Sequence, residues 1–444
     1  MSKPPALLTR ELGLPGAVGL GLGSILGTGV FVSLALAAGV AGAMTPWAVV
    51  LACGLAWCNG LSSAQLAAAQ PVAGGTYAYG RRFLTPALGF SAGCLFLVAK
   101  SASAATAAMA VAGYTASLIA VPWGEGGQIA GAMGVVAGVT GVVLAGLRRT
   151  AWLNALLVTI TLAALAVFVA VAWWGRPPDD QVAAAAEPAD WSSLAHAAAL
   201  VFVAYTGYGR IATMGEEVRD PRRIIPRAVA VTLTVTGAVY LAVITAGMAA
   251  VGPAGFAAAA EGGAPLEVTV KVCLARILGG EPVGTTAAAL DWSVRSIVAI
   301  GAITAMLGVL LNLLLGLSRV ALAMGRAGDL PGGLSRLDRW GKTPVAAVLA
   351  VAAVVAGLTL LGSIHTAWTF SAVTVLLYYG LTNAAALRLP PAQRLYPRAV
   401  SWMGLAGCVA LAAFVPWPYL VAAGATLGLA LLLRAGLRRR DVSA

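Results

Sequence analysis

Two short stretches of this 444-residue sequence combine residue types suited to holding a small charged molecule. The first is Gly23-Ser24-Ile25-Leu26-Gly27-Thr28-Gly29, preceded by Gly13, Gly16, Gly19 and Gly21. Glycine weakens a helix, so glycines around two hydroxyl residues predict a break in the backbone there. A broken helix presents free amide N–H groups at the start of its second half, a positive dipole end that suits a carboxylate. The end of its first half presents free carbonyls, which suit an ammonium. At Gly13, Gly16 and Gly19 close packing of helices is the better explanation. The second stretch is Phe202-Val203-Ala204-Tyr205-Thr206-Gly207-Tyr208-Gly209-Arg210, with two glycines among aromatics. Tyr205 and Tyr208 fit core filling as well as they fit ligand contact.

Other chemistries find little support. The two histidines, His196 and His365, are far apart in sequence, and the five cysteines are scattered through apolar or mixed runs. Metal or haem chemistry needs clustered ligands, so no metal and no cofactor are expected. Ser363 stands two residues from His365, too close along the chain for the two to align easily as nucleophile and base. Acids fall almost entirely in loops or at the edges of apolar runs, which leaves no paired carboxylates for acid–base work. An intramembrane enzyme and a channel are therefore the minor readings. A channel would want a continuous polar file, and here the polar residues gather at the two glycine-rich stretches.

The elements that carry these stretches are membrane spans. Hydrophobic residues make up 60% of the chain and charged ones 10%, against roughly 45–50% and about 25% in soluble proteins. Apolar runs predict an all-α polytopic membrane protein of 12 transmembrane helices, at 14–42, 45–69, 86–117, 128–147, 151–174, 192–214, 226–251, 293–318, 344–361, 366–388, 398–415 and 417–434. With that count, twenty-two Lys and Arg fall on one side and four on the other. Positive charge stays inside, which places the chain in the plasma or inner membrane with both termini cytoplasmic. The net charge of +12 comes as small clusters between spans, the pattern of orientation in a bilayer and not of a nucleic-acid partner. The two glycine-rich stretches fall in spans one and six, which cross in opposite directions. Interrupted helices at matching places in two inverted halves point to a transporter's central site. A stretch at 266–277 in the second long outer loop reads as a short amphipathic helix, either lying over the mouth or simply interfacial.

The chain resembles an amino-acid permease of the amino acid–polyamine–organocation superfamily. The residues that carry the likeness are Gly23-Ser24-Ile25-Leu26-Gly27-Thr28-Gly29-Val30-Phe31 in span one and Pro71-Val72-Ala73-Gly74-Gly75-Thr76-Tyr77-Ala78-Tyr79 after span two. Span six adds Ala204-Tyr205-Thr206-Gly207-Tyr208, then Gly215-Glu216-Glu217-Val218-Arg219-Asp220-Pro221, and the loop after span eight adds Met324-Gly325-Arg326-Ala327-Gly328-Asp329-Leu330-Pro331. The resemblance implies a LeuT-type 5+5 inverted repeat plus two extra helices: 11–174 as the first repeat, 190–388 as the second, 389–437 as the extra pair. It implies alternating access and an amino-acid substrate. The substrate carboxylate would meet Thr28 and Gly29, and its ammonium the carbonyls near Ile25 and from Val203 to Thr206. Ser24, Gly27, Ala204, Tyr205, Gly207 and Tyr208 complete the expected substrate-binding set, with Ser371 and Thr374 of span ten as weaker candidates.

Two departures from the family bear on coupling. Gly209, followed by Arg210, stands where many relatives carry an acid two positions after the span-six glycine, and span five has no lysine, with Thr161 near the position where several proton-coupled relatives have one. Lys100 is the only lysine in any span. It lies about 21 Å along its helix from Pro86, near the membrane midplane, where a cation costs at least ~2.5–3.5 kcal/mol. It is the candidate proton-coupling residue, replacing the missing amine and bridging spans one and eight when charged. A structural lysine bonded to helix carbonyls is the alternative. Arg210 is placed near the inner end of span six, paired with Glu216 or Glu217. A cationic side chain would want a carboxylate in the central spans, and there is none, so neutral, small to medium amino acids are favoured, while Lys100 leaves an acidic substrate or a decarboxylated amine open. The expectation is therefore proton-coupled symport of neutral amino acids, with sodium coupling or amino acid/amine exchange as alternatives.

Overall fold

The computed structural model describes residues 12–70, 74–119, 121, 123–145, 151–177, 190–213, 218–280, 284–337, 343–361 and 363–442. Most of them are helical, and among them the only strand-like pairing is an isolated bridge between Leu12 and Val218. Among the described residues, eight helical stretches are long and apolar enough to cross a membrane, and there are two shorter apolar helices, Val345–Thr359 and Arg398–Ala413. The first stretch, Leu14–Ala69, has 56 residues. At ~1.5 Å per residue that is well over twice a hydrocarbon core of ~30 Å. It comprises α1 (Leu14–Ile25), α2 (Leu34–Ala41) and α3 (Thr45–Ala69). The chain bends between the last two at Gly42, whose φ of 51° suits glycine alone.

Local sequence explains where the later helices begin. α4 (Gly75–Phe83) is a short amphipathic helix entered through Gly74 at φ 123°, an element the apolar pattern does not predict. α5 (Pro86–Leu118) starts with proline in its first turn, and Thr85 Oγ1 accepts from the Leu88 amide at 3.1 Å. α6 (Glu125–Leu144) and α7 (Ala151–Trp174) follow, and then α8 (Trp191–Tyr205), capped by Asp190, whose carboxylate accepts from the Ser193 amide at 2.8 Å. A five-residue helix, α9 (Gly209–Thr213), precedes α10 (Pro221–Ala258). α11 (Pro265–Ile277) lies where the amphipathic stretch predicts a helix. The remaining elements are α12 (Thr285–Arg326), α13 (Val345–Thr359), α14 (Ile364–Leu387), α15 (Arg398–Ala413) and α16 (Trp417–Val442).

α5 runs through the centre, packed between α12 and α14. Its buried face is mostly alanine, with Ala99, Ala102, Ala104, Ala105, Ala107 and Ala108 all fully covered, and small residues let helices approach closely. One end of the bundle is fastened by α11. There Tyr114 donates to the Phe31 carbonyl at 3.0 Å, and Glu267 accepts from Arg295 at 2.5 Å and from the Ser117 hydroxyl. The other end is fastened by Asp329, fully buried, which accepts from Tyr77 at 2.9 Å, from Arg434 at 2.8 Å and from Arg81. Burial and the Asp329 carboxylate push the Tyr77 hydroxyl up to about 12. Burial works against ionising Asp329, but hydrogen bonds from Arg434 and Tyr77 and the two guanidinium charges outweigh it and hold its pKa below the ordinary carboxylate range.

The close approach expected at Gly13, Gly16 and Gly19 falls elsewhere. Those three leave ordinary room, whereas a side chain at Gly21 would strike Ile211 and Thr232, and one at Gly23 would strike Asn154. Asn154 of α7 also donates to the Gly19 carbonyl at 2.7 Å, so a polar tie joins the first and fifth apolar runs.

Candidate functional site

The site is built where the two glycine-rich stretches meet. α1 stops at Ile25; Leu26 is extended (ψ 93°), and the chain re-enters helix through a wide π-helical turn at Gly29–Ser33. This interruption is the open break the sequence predicts. The second differs from expectation. α8 passes through a tight 3₁₀ turn at Thr206–Tyr208 directly into α9, and the Thr206 amide still bonds the Val203 carbonyl. A 3₁₀ turn keeps i→i+3 hydrogen bonds, so this stretch is tightened and not unwound.

Glycine brings the two stretches into contact. A side chain at Gly207 would collide with the Ser24 carbonyl, and one at Gly29 would collide with Ala204 and the Tyr240 hydroxyl. Tyr240 of α10 points its hydroxyl at both, 3.2 Å from the Ile25 carbonyl and 3.1 Å from that of Ala204. These are two of the carbonyls expected to face an ammonium.

Between them lies a cavity of about 160 Å³. At ~10–15 Å³ per water-sized probe, it has room for a small organic molecule. Ser24, Ile25, Thr28 and Gly29 line it from one stretch, and Val203, Ala204, Thr206 and Gly207 from the other. Gly27, Tyr205 and Tyr208 do not. Gly27 lies against Val309, Tyr205 stacks on Tyr240 with ring centroids 4.9 Å apart, and Tyr208 packs on Tyr379 at 5.5 Å. The two tyrosines are core.

Lys100 enters the cavity from α5. It is buried, and its Nζ donates to Thr206 Oγ1 at 2.5 Å; Thr206 in turn donates to the Val203 carbonyl at 2.6 Å. The ammonium therefore sits at the C-terminal, electronegative end of α8, against the second stretch and not as a bridge between the first and eighth runs. The Thr28 hydroxyl is buried and makes no hydrogen bond within the described residues.

Several lining residues escape the sequence reading. Asn312 of α12 is one, and a lone amide among leucines at 310–315 is the signal that could have found it. Trp368 and Tyr379 come from α14; the first donates to the Leu200 carbonyl at 2.9 Å, the second to that of Thr206 at 3.3 Å. Ser371 and Thr374 are not in the lining, and Ser371 instead bonds Ser103 and the Ala99 carbonyl, each at 2.9 Å. Arg210 lines the cavity; Glu216 and Glu217, its expected partners, lie outside the described residues.

The lining also takes in Gly74 and Arg319, and the Tyr114 hydroxyl donates to Phe31 and accepts from the Leu266 amide of α11 at 3.4 Å. A larger cavity of about 440 Å³, beside Gly39, Gln128, Glu261 and His365, shares no lining residue with the site. Ser363 there caps α14 by accepting from the Thr366 amide at 3.2 Å, a structural role that needs no histidine.

A multi-pass helical membrane protein with a central cavity at a broken helix belongs to the class of transporters. The comparisons agree on the class and supply the family. The amino acid permease family profile matches residues 16–438, and the chain belongs to that family. An uncharacterized transporter of Mycobacterium tuberculosis is 40% identical over 424 residues, 96% of this chain and 90% of the relative. The branched-chain amino acid permease of Bacillus subtilis is 28% identical over 77% of this chain and 72% of its own, and that organism's methylthioribose transporter is 27% identical over 73% and 69%.

Proposed function

We propose that the protein is a proton-coupled amino-acid symporter of the cell membrane, working by alternating access through twelve crossings arranged as two inverted repeats (11–174 and 190–388) plus an added pair (389–437). Both termini are cytoplasmic in this reading. The eight long helical stretches, the turn at Gly42 that divides the first into two, the shorter helices Val345–Thr359 and Arg398–Ala413, and the α8–α9 run across the Thr206–Tyr208 turn support that count.

The observation that carries the reading is the contact between the Ser24–Gly29 break and the Val203–Gly207 turn around one buried cavity. The substrate carboxylate meets the amides after the break and the Thr28 hydroxyl, and its ammonium meets carbonyls at the end of α1, near Ile25. Lys100 couples the proton. Charged, it holds Thr206 and the end of α8; once it gives up its proton to the cytoplasm, that tie weakens and the substrate leaves. The lining contains no Asp or Glu among the described residues, which disfavours a cationic side chain. Neutral side chains, favoured from the sequence, and anionic ones both meet that condition.

Uptake into proteoliposomes under an imposed pH gradient tests the coupling. Wild type accumulates substrate above equilibrium when the outside is acidic, and Lys100→Met retains only exchange, without dependence on the gradient. Undiminished gradient-driven accumulation in Lys100→Met refutes the coupling role.

A further inference from the structure

We infer that the cargo has a carboxylate side chain, held in this cavity against Lys100. The inference rests on the amino-acid carrier reading and narrows it to acidic amino acids. A lysine ammonium has three donors and no acceptor, and the described contacts of Lys100 supply one partner, the neutral hydroxyl of Thr206. Lys100 is only 7% exposed and lines the cavity.

The rest of the lining has the same sign. Arg319 also lines it, and no Asp or Glu is present among the described lining residues. Low-dielectric walls around charges of one sign concentrate the opposite ion, so the cavity draws anions inward. A carboxylate beside Lys100 makes a charge-assisted hydrogen bond, stronger than the present bond to a neutral hydroxyl. Asn312, whose amide nitrogen is buried without a partner among the described residues, offers a second polar group on another helix. A neutral apolar side chain would leave the cation with Thr206 alone, and a basic one would be repelled.

This arrangement also links cargo to proton. A substrate carboxylate favours the charged form of its lysine neighbour, and by reciprocity the charged lysine favours the substrate.

Isosteric pairs test the idea because each differs by one charge at nearly constant shape. The measurement is competition against labelled amino-acid uptake in proteoliposomes, with L-glutamate against L-glutamine and L-aspartate against L-asparagine, and L-leucine as an apolar reference. The expected result is half-inhibition by each acidic member at a concentration at least tenfold lower than by its amide. In Lys100→Gln, verified as folded by a monodisperse elution profile, that ratio falls to near one, and Lys100→Arg restores part of it. Amides or leucine competing as well as or better than the acids overturn the inference while leaving the carrier reading intact. If no amino acid is transported or bound, the carrier reading falls and the inference falls with it.

Discussion

At the residue scale, the site depends on a few polar groups in an apolar interior. Thr28 is the clearest of these, a buried hydroxyl with no hydrogen bond in the described protein. Removing it should cost the ligand one hydrogen bond and the fold almost nothing. Thr28→Val is expected to raise the apparent KM by roughly tenfold, the scale of a hydrogen bond to a charged group, with Tm within about a degree of wild type. Thr28→Ser should behave like wild type, and a large fall in Tm in Thr28→Val would assign the hydroxyl to folding instead. Ser24, Thr28 and Lys100 were legible because polar residues are conspicuous at membrane depth. The core role of Tyr205 and Tyr208 was not, since a tyrosine in a helix reads alike whether it faces a neighbour or a cavity. Tyr240 and Trp368 escaped for a related reason: each bonds a carbonyl on another helix, 36 and 168 residues away in sequence.

At the scale of elements, glycine content announced both special places but not their geometry. α1 opens at Leu26, while the α8–α9 junction only tightens, because the Thr206 amide and hydroxyl both hold the Val203 carbonyl. The helix α4 was invisible to an apolar count, since it owes its place to Tyr77 and Arg81 gripping Asp329. α11 was legible as an amphipathic run, but its fastening by Glu267 to Arg295 and Ser117 depends on distant partners. Cys273 on this helix is fully buried, and burial, partly offset by Arg276, pushes its thiol up to about 11. The thiolate is the reactive form, so wild-type Cys273 should resist maleimide from pH 6 to 8. Glu267→Gln strips the carboxylate from Arg295 and loosens α11. Peptide mapping is expected to show Cys273 modified at least several-fold faster in that variant, and equal rates would mean that the ion pair does not hold the helix down.

At the scale of the whole molecule, the apolar runs read from the sequence and the helical architecture of the described residues agree, whereas the long-range clamp at Asp329 had no sequence signature. Its partners stand 248 residues earlier and 105 later. Breaking a buried pair by removing one member costs about 3–5 kcal/mol, so Asp329→Asn should lower Tm in detergent by several degrees. The pH dependence has a definite sign. Asp329 has a folded pKa below its unfolded value near 3.9, so its stabilisation is complete above that value and disappears as pH falls through the lower folded pKa. Between pH 8 and 5 this group should leave wild-type Tm unchanged. Below about pH 4 the gap between wild type and Asp329→Asn should begin to narrow, and a gap that does not narrow at all between pH 5 and pH 3 would place the stabilisation elsewhere.

The contact between Gly29 and Ala204 is where the broken first helix meets the tightened sixth run, and a single methyl group there separates a shared binding site from two unrelated irregularities. Counterflow of labelled amino acid in proteoliposomes, comparing wild type with Gly29→Ala at equal amounts of folded protein, measures it directly. Saturable counterflow, stimulated by unlabelled substrate inside and lost in Gly29→Ala, is the predicted result. Non-saturable flux in wild type, or counterflow undiminished by the added methyl, would contradict it.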